Sequence, residues 1–225
     1  RFAGETLIID GMDLAARYEL ALVGDTGQAR ALGQRIRPNA NWAIELALEY
    51  AEAGFYLDAA DVLEMHLEGT AEVSGYPMVY YHLADLTERA GQGEKSKKFL
   101  ALAAAANSDY CFPHRLEDLL ALRSCLKKNP RDSRGWYYLG NLLYDKRRYE
   151  EAIDAWERCR TLDQTFSTAR RNLALAYYNK RGDAKAARVE LEAAFQLNRN
   201  DARVLMELDQ LYQKIGMPPK ERLAF

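Results

Sequence analysis

An all-α fold, a right-handed solenoid of antiparallel helix pairs, is predicted for these 225 residues by three observations. First, Trp136, Leu139, Gly140 and Leu143 recur at i, i+3, i+4 and i+7, so they share one face of a helix. Second, Ala152, Trp156 and Cys159 follow at i, i+4 and i+7 after the polar break Asp145-Lys146-Arg147-Arg148. Two helices joined by so short a turn lie antiparallel and pool their apolar faces. Third, related blocks recur at about 34 residues, the mark of a stacked helical array. One such hairpin buries too little surface to be stable alone, so every unit needs a neighbour.

Taken in order, residues 1–12 read as the tail of an upstream helix. Residues 13–37 form a short hairpin around the turn Gly24-Asp25-Thr26-Gly27, closed by Pro38 and Asn39. In 40–69, Leu46, Ala47 and Tyr50 belong to one helix and Ala59, Leu63 and Leu67 to the next, with Gly54 between; a loop with Gly69, Ser74, Gly75 and Pro77 follows. Residues 77–106 supply Tyr80, Leu83 and Ala84, then Phe99, Leu100 and Ala103. Residues 107–130 hold one helix where two are expected, with Cys111-Phe112-Pro113-His114 as a loop and Asn129-Pro130 as the stop. The clearest pairs are 133–166 and 167–201; the latter carries one extra residue at the turn near Gly182 and uses Leu173, Ala174, Tyr177, Ala187, Leu191 and Ala194. Residues 202–225 are a truncated repeat with Leu205, Leu208 and Tyr212 on its apolar face, followed by a second helix opening at Pro218-Pro219. Both ends suggest a fragment of something longer.

The pattern from Trp136 to Cys159 resembles the tetratricopeptide repeat. Beyond it, the segments CFPHRLEDL, YYLGNLLYDKRRYEEAIDAWERC, RRNLALAYYNKRGD, ELDQLY and PPKERLAF together resemble the C-terminal helical region of a bacterial family of uncharacterised proteins. In that family a large β-rich, sugar-enzyme-like domain precedes the repeats. The resemblance implies a cytoplasmic, carbohydrate-related protein of which this chain is the non-catalytic part.

Composition narrows the function. No apolar run is long enough to span a bilayer, and no basic, apolar and small-residue start marks a secretory signal. Cys111, Cys125 and Cys159 cannot all pair, which favours a reducing compartment. Charge is unevenly spread: residues 1–110 carry nine Lys and Arg against seventeen Asp and Glu, and residues 111–203 carry nineteen against thirteen. Such halves attract partners of opposite sign, although solvated outer faces of a helical array show similar bias.

Catalytic chemistry finds little to work with. His66, His82 and His114 lack the paired spacing of a zinc-binding helix, and Cys111 with His114 would need two further ligands, so no metal or other cofactor is expected. Glu45, Glu49 and Glu52 line one helix face as a solvated stripe, with nothing to separate their acidities into an acid and a base. No phosphate-binding glycine loop or nucleophile elbow is present, so no residue is assigned a catalytic role.

The candidate site is instead the concave groove lined by the first helix of each repeat. With Gly140 fixing the register, Arg134, Tyr137, Asn141 and Tyr144 fall on the groove face. Thr168, Arg171, Asn172, Leu175 and Tyr178 are the matching positions of the next repeat; Arg203, Met206, Glu207 and Gln210 are those of the last. Amides for a peptide backbone, Arg for carboxylates and Tyr for contact area suit an extended protein or peptide ligand. Some tetratricopeptide proteins clamp a C-terminal carboxylate through Lys, Asn, Asn, Lys and Arg. The resemblance places Asn141, Asn172 and Arg203 at three of these positions, while Tyr137 and Glu207 replace the first Lys and the Arg, and a glutamate there repels the ligand. Single-stranded RNA is the weighed alternative, resting on Lys146, Arg147, Arg148, Arg170, Arg171, Lys180 and Arg181, most of them at turns where cations ordinarily cap helix ends. Other partners considered are the β-rich domain of the same polypeptide and a second copy of the chain; no membrane partner is expected.

Overall fold

In the computed structural model, which describes residues 2–68 and 75–222, the ordered elements are helices throughout. The expected loop residues Gly69 and Ser74, and the last residues Leu223 to Phe225, lie outside the described residues. The chain divides into two compact units, Arg1–Cys111 and Phe112–Phe225, and the division falls inside the irregular stretch 107–130.

The first unit contains α1 (Phe2–Ile9), α2 (Leu14–Leu22), α3 (Thr26–Ile36), α4 (Ala40–Glu52), α5 (Tyr56–Leu67), α6 (Pro77–Arg89) and α7 (Gly93–Ala105). The starts of α2, α3 and α4 are set by side chains that satisfy orphan backbone N–H groups. Asp13 accepts from Ala16 N at 2.8 Å, Asp25 from Gln28 N at 3.0 Å, and Asn39 from Asn41 N at 3.0 Å. The pairs α2/α3, α4/α5 and α6/α7 reverse at Gly24, Gly54 and Gly91, all in the left-handed region that glycine enters at no steric cost. Helix α6 is buried on every side from Pro77 to Thr87, a pattern expected of an interior helix. Its carbonyl at Ala84 accepts from Ser96 Oγ at 2.8 Å, tying α6 to α7.

The second unit contains α8 (Leu116–Lys128), α9 (Ser133–Asp145), α10 (Tyr149–Leu162), α11 (Ser167–Ala176), α12 (Ala184–Leu197), α13 (Ala202–Lys214) and the single turn α14 (Pro219–Arg222). Helices α9 and α10 approach closely because Gly140 faces the Trp156 indole, where an added Cβ would overlap the ring. Next to this contact, Tyr138 is fully buried, a core residue that the apolar periodicity of α9 had not singled out. Between α11 and α12 the chain makes a π-helical turn, Tyr177–Arg181, closed by Gly182 at φ 67°. The extra residue near Gly182 is absorbed there: Asp183 N bonds back to Tyr177 O at 3.0 Å, and the Asp183 carboxylate then caps α12 at Ala186 N. One core expectation fails in α13. Leu205 is exposed, whereas Val204, Leu208, Leu211 and Tyr212 are buried. The apolar arc Val204-Leu205-Met206 is wider than one face, and the side that meets α12 begins at Val204.

Candidate functional site

Three helices of the second unit carry the expected groove residues. On α9, Arg134 lies 3.8 Å over the Phe166 ring and within 3.9 Å of Asp163, and Tyr137 packs on Phe166 at 4.7 Å between centroids. Tyr144 touches Tyr149 and Trp156, with Lys180 stacked on Tyr149 at 3.9 Å. These contacts hold the rings of α9 by packing against α10 and the start of α11.

A ladder of amides joins α9 to α11. Asn141 Oδ1 accepts from Trp156 Nε1 at 3.2 Å and from Asn172 Nδ2 at 3.0 Å. Asn172 Oδ1 in turn accepts from Arg171 Nη1 at 3.3 Å. Arg171 then grips Glu207 on α13 in a bidentate pair, with Nε to Oε2 at 2.7 Å, and Arg203 Nε reaches the same carboxylate at 3.3 Å. The Arg171 and Glu207 side chains are only 13% and 11% exposed. Glu207 is therefore no bare repulsive charge, because two guanidiniums neutralise it. By the same token Arg171 is committed to holding α11 against α13 rather than standing ready for a ligand.

Beside this pair opens a cleft of ≈ 230 Å³. Its walls are Leu175, Tyr178 and Asn179 on one side and Met206, Gln210 and Lys214 on the other. Lys214 Nζ lies 4.9 Å from the Tyr178 ring centre, and Met206 is 53% exposed at the rim. The structure thus brings Leu175, Tyr178, Met206, Glu207 and Gln210 together in one concavity. Arg134, Tyr137, Asn141, Tyr144, Thr168 and Arg203 do not line it. Asn179 and Lys214 were not expected there. Asn179 lies in the π turn Tyr177–Arg181, where the sequence shows its extra residue.

The ionisable groups around the site do not converge on a reaction centre. Burial pushes the Tyr177 hydroxyl well above its ordinary range, helped by its hydrogen bond to Glu157 at 2.7 Å. Burial also pushes the Cys159 thiol up to about 12, with Arg134 opposing the shift. All three cysteines are buried. Among the described residues no group of His, Cys, Asp and Glu is placed to hold a metal ion, and no helix is long and apolar enough to cross a membrane.

Residues 94–214 match the family model described as the cytochrome c-type biogenesis protein H TPR domain. The chain belongs to this tetratricopeptide-repeat family. Solved structures similar to it include a double mutant of MamA from RS-1, at 14% identity over 82% of this chain and 89% of that chain, with a TM-score of 0.47. Pseudomonas aeruginosa PilF is 22% identical over 81% of this chain and 70% of that chain, with a TM-score of 0.41. YrrB, described as a TPR protein with an unusual peptide-binding site, is 14% identical over 92% and 97%, with a TM-score of 0.42.

Proposed function

We propose that this chain is a non-enzymatic interaction module whose second unit holds an extended segment of a partner protein. The observation that carries the reading is the cleft walled by Leu175, Tyr178 and Met206, with Glu207 in its lining tied through Arg171 to the Asn141–Asn172 ladder. An apolar side chain fits the cleft, and the amides offer a neighbouring backbone its hydrogen bonds. Recognition then rests on shape and on a few polar groups, with Lys214 and Asn179 reading what lies next to the anchor. A protein ligand is favoured over RNA because most of the cations that suited RNA are spent. Lys146, Arg148, Arg170 and Arg181 pair with Asp145, Glu151, Glu190 and Glu150, and Arg171 pairs with Glu207. Three buried thiols favour a reducing compartment for this encounter.

The test is a pull-down from bacterial lysate with the chain as bait, run beside Met206→Arg and Asn141→Ala. Met206 is exposed, so its substitution fills the cleft mouth without disturbing the core. A protein retained by the parent and lost by both variants supports groove recognition and identifies the partner. If the same proteins pass through all three baits, the groove is not the contact. An occupant from the same polypeptide, such as the β-rich domain that the resemblance implies, would show as binding only when that domain is supplied in trans.

A further inference from the structure

The first unit carries a second concavity, built on different residues from the groove just described. A cleft of ≈ 340 Å³ opens among α1, α2 and α4, within the range of small ligand sites and wide enough for apolar side chains. Its floor is small and apolar, formed by Ala16 and Ala53 with the Tyr50 ring, and its lip is Phe55, 57% exposed. Phe55 follows Gly54, whose left-handed backbone at φ 88° turns the chain so that the ring stands beside the opening. Three carboxylates, Asp13, Glu19 and Glu49, line the walls, and among the described residues no cation does.

None of the three forms an ion pair among the described residues. Asp13 caps Ala16 N at 2.8 Å and Glu19 accepts from the Tyr50 hydroxyl at 2.8 Å, so both are held in place by neutral donors. The nearest cation along α2, Arg17, is turned away and bonds to Gln28 and to the Gly11 carbonyl. The surplus extends over the unit, since residues 1–110 carry nine basic against seventeen acidic side chains. Field and cleft therefore select the same chemistry: apolar groups for the floor and cations for the rim.

We infer that this cleft is a docking site for a basic amphipathic segment of a partner protein, seated with an apolar face on Ala16, Ala53 and Phe55 and with Lys or Arg over Glu19 and Glu49. The occupant is specified by the lining itself, apolar at Ala16, Ala53 and Phe55 and acidic at Asp13, Glu19 and Glu49. The inference is independent of the groove in the second unit, and the two can fail separately.

The probe is a fluorescein-labelled amphipathic helix of Leu and Lys, with a Leu and Glu counterpart as reference, titrated against the 225-residue chain by fluorescence anisotropy. The Lys peptide binds and the Glu peptide does not. Ala53→Arg, at an exposed position, and Glu49→Lys each weaken binding about tenfold. Asp109→Lys makes the same change in net charge outside the cleft and alters binding by less than about twofold. Thermal melts by circular dichroism confirm that the variants fold. Equal losses for Asp109→Lys and Glu49→Lys would make the effect one of general charge and overturn the inference. So would unchanged binding in Ala53→Arg. If the parent instead self-associates in a way that Ala53→Arg abolishes, with no affinity for the peptide, the occupant is a second copy and the inference also falls.

Discussion

Gly140 and Trp156 set the closest approach of two helices in the second unit, and the contact has no slack. Gly140→Ala pushes a methyl into the indole, and the expected cost is about 2 kcal/mol in a urea melt, despite the gain in helix propensity. The indole also donates to Asn141, so the same substitution disturbs the amide ladder at its origin. A second contrast lies in α13. Val204→Ser leaves a hydroxyl in the core and costs about 2–3 kcal/mol. Leu205→Ser, one residue on, changes stability by less than about 0.5 kcal/mol because that side chain already meets solvent. This pair tests the burial phase of α13, where apolar spacing put Leu205 inside and the fold puts Val204 there instead. Val204, Leu205, Met206, Leu208 and Leu211 satisfy more than one helical register, and only the packing of α12 decides which edge is inside.

At the scale of elements, helix phase was readable wherever the apolar stripe is narrow. Leu173 and Ala174 in α11, and Ala187, Leu191 and Ala194 in α12, are all buried, whereas α6 is buried all round and its phase is not tested by Tyr80, Leu83 and Ala84. The site was readable in part, for the same reason. Leu175, Tyr178 and Met206 follow from counting along the helix from Gly140. The Arg171–Glu207 pair does not, because it depends on the separation of α11 and α13, a distance no single helix contains. That pair is a clasp between elements. Arg171→Ala leaves Glu207 with only the more exposed Arg203, and the expected loss is about 2 kcal/mol, intermediate between surface and buried ion pairs. Buried Glu190, which receives Arg160 on α10 and Arg170 on α11, is a second clasp. Glu190→Ala leaves two guanidiniums facing each other, with an expected cost of about 3 kcal/mol by chemical denaturation.

Across the whole chain, buried acidic protons point to a weakness in alkali. The Cys159 thiol is pushed up from 9.0 to about 12, mainly by burial, and the hydroxyls of Tyr18, Tyr50, Tyr177 and Tyr212 are all raised from 10.0, again mainly by burial. The unfolded chain releases these protons first, so above about pH 9 it binds fewer protons than the folded chain and stability falls as pH rises. The loss begins with Cys159 and continues through the tyrosines toward pH 12. Urea midpoints measured from pH 7 to 11 should stay flat to about pH 9 and then decline, and Cys159→Ala should move the onset upward by about one pH unit. A midpoint that rises through this window would contradict the burial of these groups.

The π turn at Tyr177–Arg181 has a consequence of another kind. An inserted residue in an ordinary helix rotates everything after it by about a quarter of a turn and would carry the stripe of α12 away from its partners. Here the surplus is taken up before Gly182, and Ala187, Leu191 and Ala194 still enter the core in phase. A repeat can thus be edited by length at one corner while its neighbours keep their bookkeeping. What the edit alters is local: Tyr178, Asn179 and Lys180 are presented differently from an uninterrupted helix, and two of them wall the cleft. Shortening this turn by one residue is then expected to reshape the cleft wall in a frame that continues to fold.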